Sequence, residues 1–186
     1  MKKYELTTNT KMRFGEKLFQ IKALISFGDV TAGDLGGYIE KEENLSHDGT
    51  AWVYGNARVY GDARVSGNAR VYGTALVSGD AWVYGDAWVS GDARVYGDAR
   101  VSGNARVSGD ADYICFKGFG SENRNTTMFR TKNGDVYVCC GCFKGSLKEF
   151  SEKVKKTHGS SKYAKEYLAC VEVAKIHFEI GEENDK

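Results

Sequence analysis

The chain has 186 residues, 23 of them Gly and none Pro, and 26 Lys+Arg stand against 25 Asp+Glu for a formal net charge of +1. Hydrophobic residues make up 41% and aromatics 12%, which is too apolar for a disordered chain, and no run reaches the 18 or so consecutive apolar residues that a membrane helix needs. These counts leave room for one ordinary domain or two very small ones.

Residues 1–48 begin Met1-Lys2-Lys3-Tyr4-Glu5, basic residues with no apolar stretch behind them, so no secretory signal is read there. Tyr4 to Thr8 and the alternating stretch Leu18 to Ile25 predict a hairpin-like pair. Its expected role is to cap a repeat that begins at Gly49.

From Gly49 the chain repeats every six residues through eleven hexads to Ile114, most of them spelled Gly-Asp/Asn-Ala-x-Val-Tyr/Ser. Repetition this strict overrides local propensity. Ala57 and Val59 sit two apart, so on a strand both point to one side while Arg58 points to the other. The Gly-Asp and Gly-Asn pairs are turn chemistry. Three short strands and three corners close a coil of eighteen residues, which stacks Val59 under Val77 and Val95, and Val65 under Val83 and Val101. The predicted fold is mainly β, a parallel triangular β-helix over 49–114 with an N-terminal β cap over 1–48. An open helix end would expose strand edges, which is the reason for a cap.

Residues 115–186 change character. Thr126 to Thr131 and Asp135 to Cys139 flank Lys132-Asn133-Gly134, a two-strand signal. Ser146-Leu147-Lys148-Glu149 is a capping box for a first helix with Leu147, Phe150 and Val154 on one face. Residues 162–178 predict a second helix with Tyr163, Tyr167, Val171 and Ala174 on one side. The expectation is a small β-β-α-α domain. Its net charge is +3, too little to argue nucleic-acid binding. Five cysteines, an odd number placed late, fit reduced thiols and a cytoplasmic location better than a disulfide framework.

The Ala-x-Val-x-Gly-Asp/Asn units resemble the hexapeptide-repeat proteins, which implies a left-handed β-helix. The leader from Gly33-Asp34-Leu35-Gly36-Gly37-Tyr38-Ile39-Glu40 to Asn44-Leu45-Ser46-His47 is similar to phage and prophage proteins labelled polymer-forming or transferase. So is the tail with Phe116-Lys117-Gly118-Phe119-Gly120-Ser121 and Cys140-Gly141-Cys142-Phe143. That resemblance implies a phage-encoded protein with a partner in the host, either a component of a defence system or its nucleotide signal.

Candidate contact residues come from the outward positions. Eighteen-residue spacing stacks Trp52, Arg70, Trp88 and Arg106 on one face, Arg58, Leu76, Arg94 and Asp112 on a second, and Arg64, Trp82 and Arg100 on a third. A guanidinium over an indole is worth about 0.5–1 kcal/mol where exposed. The ladders either stabilise the sheets or form a binding face, and for binding the choice is Trp52, Tyr54, Arg70, Tyr72, Trp88 and Arg106, residue types enriched at interface hot spots. The four aromatics there predict a homo-dimer or trimer through that face. Stacked Asp62, Asp80 and Asp98 are expected to pair with Arg64 and Arg100. Ser121, Arg124, Thr126, Thr127 and Arg130 are a candidate anion-binding loop, with a plain polar connection as the alternative.

Catalysis finds little support, because the hexads contain no His and no inserted loop, and His47, His158 and His177 all lie outside them. The cysteines at 139, 140 and 142, with Cys115, Cys170 and His158, have poor spacing for zinc, so neither a metal nor a cofactor is expected. The function read is a non-enzymatic binding or scaffold protein, with a hexapeptide-type acyltransferase as the alternative.

Overall fold

The computed structural model describes residues 1–180. The N-terminal segment and the repeat form one compact unit, Met1–Asp110, and a second unit begins at Ala111.

β1 (Tyr4–Arg13) and β2 (Glu16–Ala23) form an antiparallel hairpin, with β1 longer than the sequence suggests and β2 of the expected length but two residues earlier. β3 (Leu35–Ile39) pairs antiparallel with β2. Ten two-residue strands come next at six-residue intervals: β4 (Trp52–Val53), β5 (Arg58–Val59), β6 (Arg64–Val65), β7 (Arg70–Val71), β8 (Leu76–Val77), β9 (Trp82–Val83), β10 (Trp88–Val89), β11 (Arg94–Val95), β12 (Arg100–Val101) and β13 (Arg106–Val107). Each pairs in parallel with the strand eighteen residues away, so that Val53, Val71, Val89 and Val107 stand in one row. Val59, Val77 and Val95 form a second row, and Val65, Val83 and Val101 a third. Every Ala and Val of these strands and their approaches is buried. The corner glycines have positive φ, for example +67° at Gly67. A Cβ on Gly67 would also lie 3.0 Å from the Gly85 nitrogen, so conformation and close approach both demand glycine there.

The coil starts earlier than Gly49. Ile39 pairs with Val59 and Leu45 bridges to Val65, which adds a first coil that no hexad spells and gives about four turns. The 3-10 turn at Glu42–Asn44 forms the corner of an ordinary six-residue step from Ile39 to Leu45, and the spacing to the next coil is twenty residues instead of eighteen because the step from Leu45 to Val53 takes eight. The expected eleventh hexad is not a strand of the coil. Asp110–Asp112 is a 3-10 turn, and Asp110 Oδ1 accepts a 2.8 Å bond from the Arg94 amide on the last coil.

The first coil has a particular problem. Within the stack, each Ala carbonyl accepts from the amide of the preceding coil, as Ala75 does from Arg58 and Ala57 does from Tyr38. Ala51 and Ala63 receive side-chain donors instead. Lys3 Nζ donates to Ala51 O at 2.8 Å and lies 3.4 Å from Gly49 O, while Asn44 Nδ2 donates to Gly61 O and Ala63 O, both at 2.9 Å. Asn44 Oδ1 accepts from the Glu40 and Lys41 amides at 3.2 and 3.0 Å. Tyr4 places its hydroxyl 2.7 Å from Leu45 O. The N-terminal cap thus works through hydrogen bonds to the edge carbonyls as well as by covering apolar surface.

Burial pushes the Lys3 ammonium down to about 8, against the attraction of Asp48. Below that pH both folded and unfolded chains carry the proton, and the fold bears the full cost of a buried charge. As pH climbs from about 8 toward 10.5 the folded chain releases a proton that the unfolded chain keeps, so stability rises. Cys170, pushed up to about 11 by burial, acts in the opposite sense, so the expected result is a thermal midpoint that rises relative to that of Lys3→Met from neutral pH to about 9.5, below the ordinary tyrosine range. Parallel profiles for the two proteins would refute it.

The second unit is β-β-β-β-α-α. β14 (Tyr113–Phe119), β15 (Arg124–Arg130), β16 (Val136–Cys140) and β17 (Phe143–Ser146) form an antiparallel sheet in that order, two strands more than expected. β14 begins inside the last hexad, where the six-residue reading absorbs Tyr113 and Ile114. β17 is four residues long and contains Gly145, a weak strand signal. α1 (Leu147–His158) has the expected capping box, with Ser146 Oγ accepting from the Glu149 amide at 3.2 Å and Glu149 accepting from the Ser146 amide at 2.8 Å. α2 (Lys162–His177) buries Ala164, Tyr167, Val171 and Ala174 against Met128, Val136 and Val138 of the sheet. Tyr163, expected on that face, is exposed. Among the described residues no helix is long and apolar enough to cross a membrane.

Candidate functional site

The face chosen from the sequence has the expected register, Trp52 to Arg70 to Trp88 to Arg106. Its chemistry is largely committed within the chain. Trp52 is 1% exposed, packed edge-on against Tyr4 and Phe27 at 6.0 and 5.4 Å, so it belongs to the core of the cap and cannot meet a partner. Asp29, in the loop between β2 and β3, accepts from the Tyr54 hydroxyl at 2.8 Å and pairs with Arg70 at 3.0 Å. Burial, then the bond to Asp29, pushes the Tyr54 hydroxyl up from its usual range. Arg106 donates to Ala105 O at 2.8 Å and Asp86 O at 3.0 Å while lying 4.1 Å over Trp88. Arg70 lies over the same ring at 5.4 Å, and Tyr72 meets it edge-on at 6.0 Å. Tyr72 and Trp88, both half-buried, are the aromatic pair that this face retains at its surface.

The third ladder is the open one. Trp82 is 41% exposed, with the guanidinium of Arg64 at 5.5 Å and that of Arg100 at 5.4 Å from its ring. Parallel pairing of Arg64 with Trp82 and of Trp82 with Arg100 sets this geometry. Both indole faces carry a cation and the ring is held in one orientation, so little side-chain freedom remains to be lost on binding. Arg64 is not the partner of Asp62, as the stacked carboxylates suggest. Lys41 pairs with Asp62 at 2.8 Å, and that bond is the main reason the Asp62 carboxyl lies below its usual range. The repeat shows the Arg/Trp alternation on both flanks, but which flank stays open depends on where residues 1–48 fold over, and no six-residue period encodes that.

The candidate anion loop does not form a cradle. Ser121 lies in the turn after β14, while Arg124, Thr126, Thr127 and Arg130 are on β15. Strand alternation sends Thr126 and Thr127 to opposite faces, where both are buried. Thr126 Oγ1 donates to Cys140 Sγ at 3.1 Å and Thr127 Oγ1 to Cys115 Sγ at 3.7 Å. Arg130 donates to Phe178 O at 2.7 Å and lies 3.7 Å from Asp112. These are structural contacts of the sheet.

The five cysteines are free thiols, with Cys139, Cys140 and Cys170 buried. Burial pushes Cys170 up to about 11 and Tyr167 up to about 12. Among the described residues no three His, Cys, Asp or Glu side chains gather closely enough to hold a metal ion. His47 accepts the Lys3 amide at Nδ1, 3.2 Å away, and stacks on Tyr4 at 4.4 Å, which makes it part of the cap.

A family model described as YdcK beta solenoid repeat matches residues 51–65, 63–79 and 99–111. The chain is similar to that repeat there. The match agrees with the parallel β-solenoid seen in the structure and falls on its coils and the start of the turn that ends them. No curated protein matches the chain.

Proposed function

We propose that this protein is a non-catalytic scaffold that binds a macromolecular partner through the open flank of its solenoid, with Trp82 between Arg64 and Arg100 at the centre of the contact. The observation that carries this reading is a large aromatic residue, 41% exposed, held between two guanidinium groups. Trp and Arg are the residues most often found at interface hot spots, and a fixed orientation reduces the entropy lost on association. The resemblance to hexapeptide-repeat proteins extends the reading to a left-handed coil of triangular cross-section. The phage resemblance extends it to a phage-encoded, cytoplasmic protein that inhibits a host defence system by binding a protein or nucleotide. Self-association, with Tyr72 and Trp88 at the contact, belongs to the same reading.

The test is affinity capture from infected host cells, then binding measurements with the purified captured protein and light scattering of the scaffold alone. Trp82→Glu keeps the fold, because its two arginine neighbours can pair with a carboxylate, and it weakens binding by roughly tenfold or more. Equal affinity for wild type and variant would move the contact elsewhere. Acetyl-CoA binding that depends on His47 would replace the scaffold by an acyltransferase.

A further inference from the structure

The tip of the β1–β2 hairpin has a strained turn. Arg13 pairs with Glu16 across a two-residue connection formed by Phe14 and Gly15, whose φ angles are +49° and +91°. Turns with both central residues at positive φ favour Asn-Gly, and a bulky aromatic residue there is a real outlier, of a kind that is strained and collects at functional positions. The strain gives the fold no burial in return, since Phe14 is 78% exposed and Met12 beside it 68%.

The charge around these two side chains is one-sided. Lys11, Arg13 and Lys17 flank them against Glu16 alone. Lys11 donates to Asn56 and lies 4.1 Å over Tyr38, Arg13 lies 4.3 Å over Phe14, and Lys17 lies 5.3 Å over Phe19. Among the described residues none of the three cations has a carboxylate partner.

We propose that this hairpin tip is a docking knob for an acidic protein segment, with Phe14 and Met12 entering an apolar pocket whose rim carries carboxylates that meet Arg13 and Lys17. A rigid two-residue turn holds the ring in one direction, which suits a shaped pocket. A lipid surface fits less well. Arg13 is stacked on Phe14, so inserting the ring into a bilayer would bring a guanidinium with it or break the stack, and a charge below the headgroups is costly. The knob is a different surface from the Trp82 flank, so each reading stands or fails alone.

A random-peptide library, panned on the full chain with Phe14→Asn as counter-selection, tests the proposal. Asn-Gly is the preferred pair for this turn, so the variant is expected to melt at or above the wild-type temperature and to remain folded. The expected result is an enriched consensus of acidic residues around an apolar one. Synthetic peptides of that consensus bind wild type more weakly as ionic strength rises, lose roughly tenfold or more in affinity for Phe14→Asn, and bind Trp82→Glu unchanged. No consensus, a consensus without acids, equal affinity for Phe14→Asn, or co-sedimentation with phosphatidylserine vesicles that depends on Phe14 would each overturn it.

Discussion

Val71→Asp unfolds the solenoid. Val71 is 0% exposed and stands in register between Val53 and Val89, with only Ala and Val side chains on the inward positions of the repeat. A carboxylate there has no partner, and even when it takes up a proton to become neutral the buried carboxyl costs several kcal/mol. Total stabilities of ordinary domains are about 5–15 kcal/mol, and each coil leans only on its neighbours, so damage in the second coil separates the cap from the rest. All three tryptophans, Trp52, Trp82 and Trp88, lie in the repeat, which makes their fluorescence a direct reading of this unit. A red-shifted spectrum with no cooperative thermal transition is expected. A wild-type spectrum and a melting temperature within about 2 °C of wild type, well under what a change of 1 kcal/mol produces, would show that the inward assignment of Val71 is wrong.

Asn44→Leu is expected to cost about 3–5 kcal/mol, nearly as much, without inserting any charge. The substitution keeps the number and branching of the side-chain heavy atoms but removes both donors from the Gly61 and Ala63 carbonyls and the acceptor from the Lys41 amide, while the Glu40 amide keeps Val59 O. Each buried polar group left unmatched costs about 1–3 kcal/mol, with part recovered where water reaches the exposed neighbours. Asn44→Asp restores the acceptor but sets a buried carboxylate oxygen against the Gly61 and Ala63 carbonyls, so it is expected to be no more stable than Asn44→Leu at neutral pH. Urea unfolding monitored by tryptophan fluorescence measures the series. A loss below about 1 kcal/mol for Asn44→Leu, the net worth of a single ordinary hydrogen bond, would mean that the edge carbonyls find other donors and that the side-chain cap is dispensable.

The parts of the fold that are legible in the sequence are those in which one residue type answers one constraint. Val59 and Val77 are inward because a strand alternates and the spacing is fixed. Gly67 is a corner because nothing else fits, and Ser146 starts a helix because Glu149 stands three residues on. The hidden parts depend on long-range company. Ile39 and Leu45 build a full coil without its spelling, since the step from Leu45 to Val53 holds two residues more than a periodic reading can place. Lys3 and Asn44 look like ordinary polar residues until the carbonyls they serve are in position. Trp52 repeats the outward position of Trp88, yet only the one next to Tyr4 and Phe27 is covered. Thr126 and Thr127 resemble a loop because β14, the strand that makes β15 internal, is disguised as the end of the repeat.

The three ladders also sort the charge of the solenoid by height. The coil that contributes β8, β9 and β10 displays Leu76, Trp82 and Trp88, with no charge at any outward position. The coil before it displays Arg58, Arg64 and Arg70, and the coil after it Arg94, Arg100 and Arg106. Six guanidinium groups are thus divided into two rings by an uncharged spacer. Adjacent rings would set like charges at roughly the 4.8 Å strand separation, a repulsion of about 1 kcal/mol per pair even in water. The spacer doubles that distance and, through its two indoles, turns four of the six into attractive neighbours. Coils of this solenoid are therefore not interchangeable: excising the eighteen residues of the spacer would leave every corner and every Val row intact while bringing the two rings together.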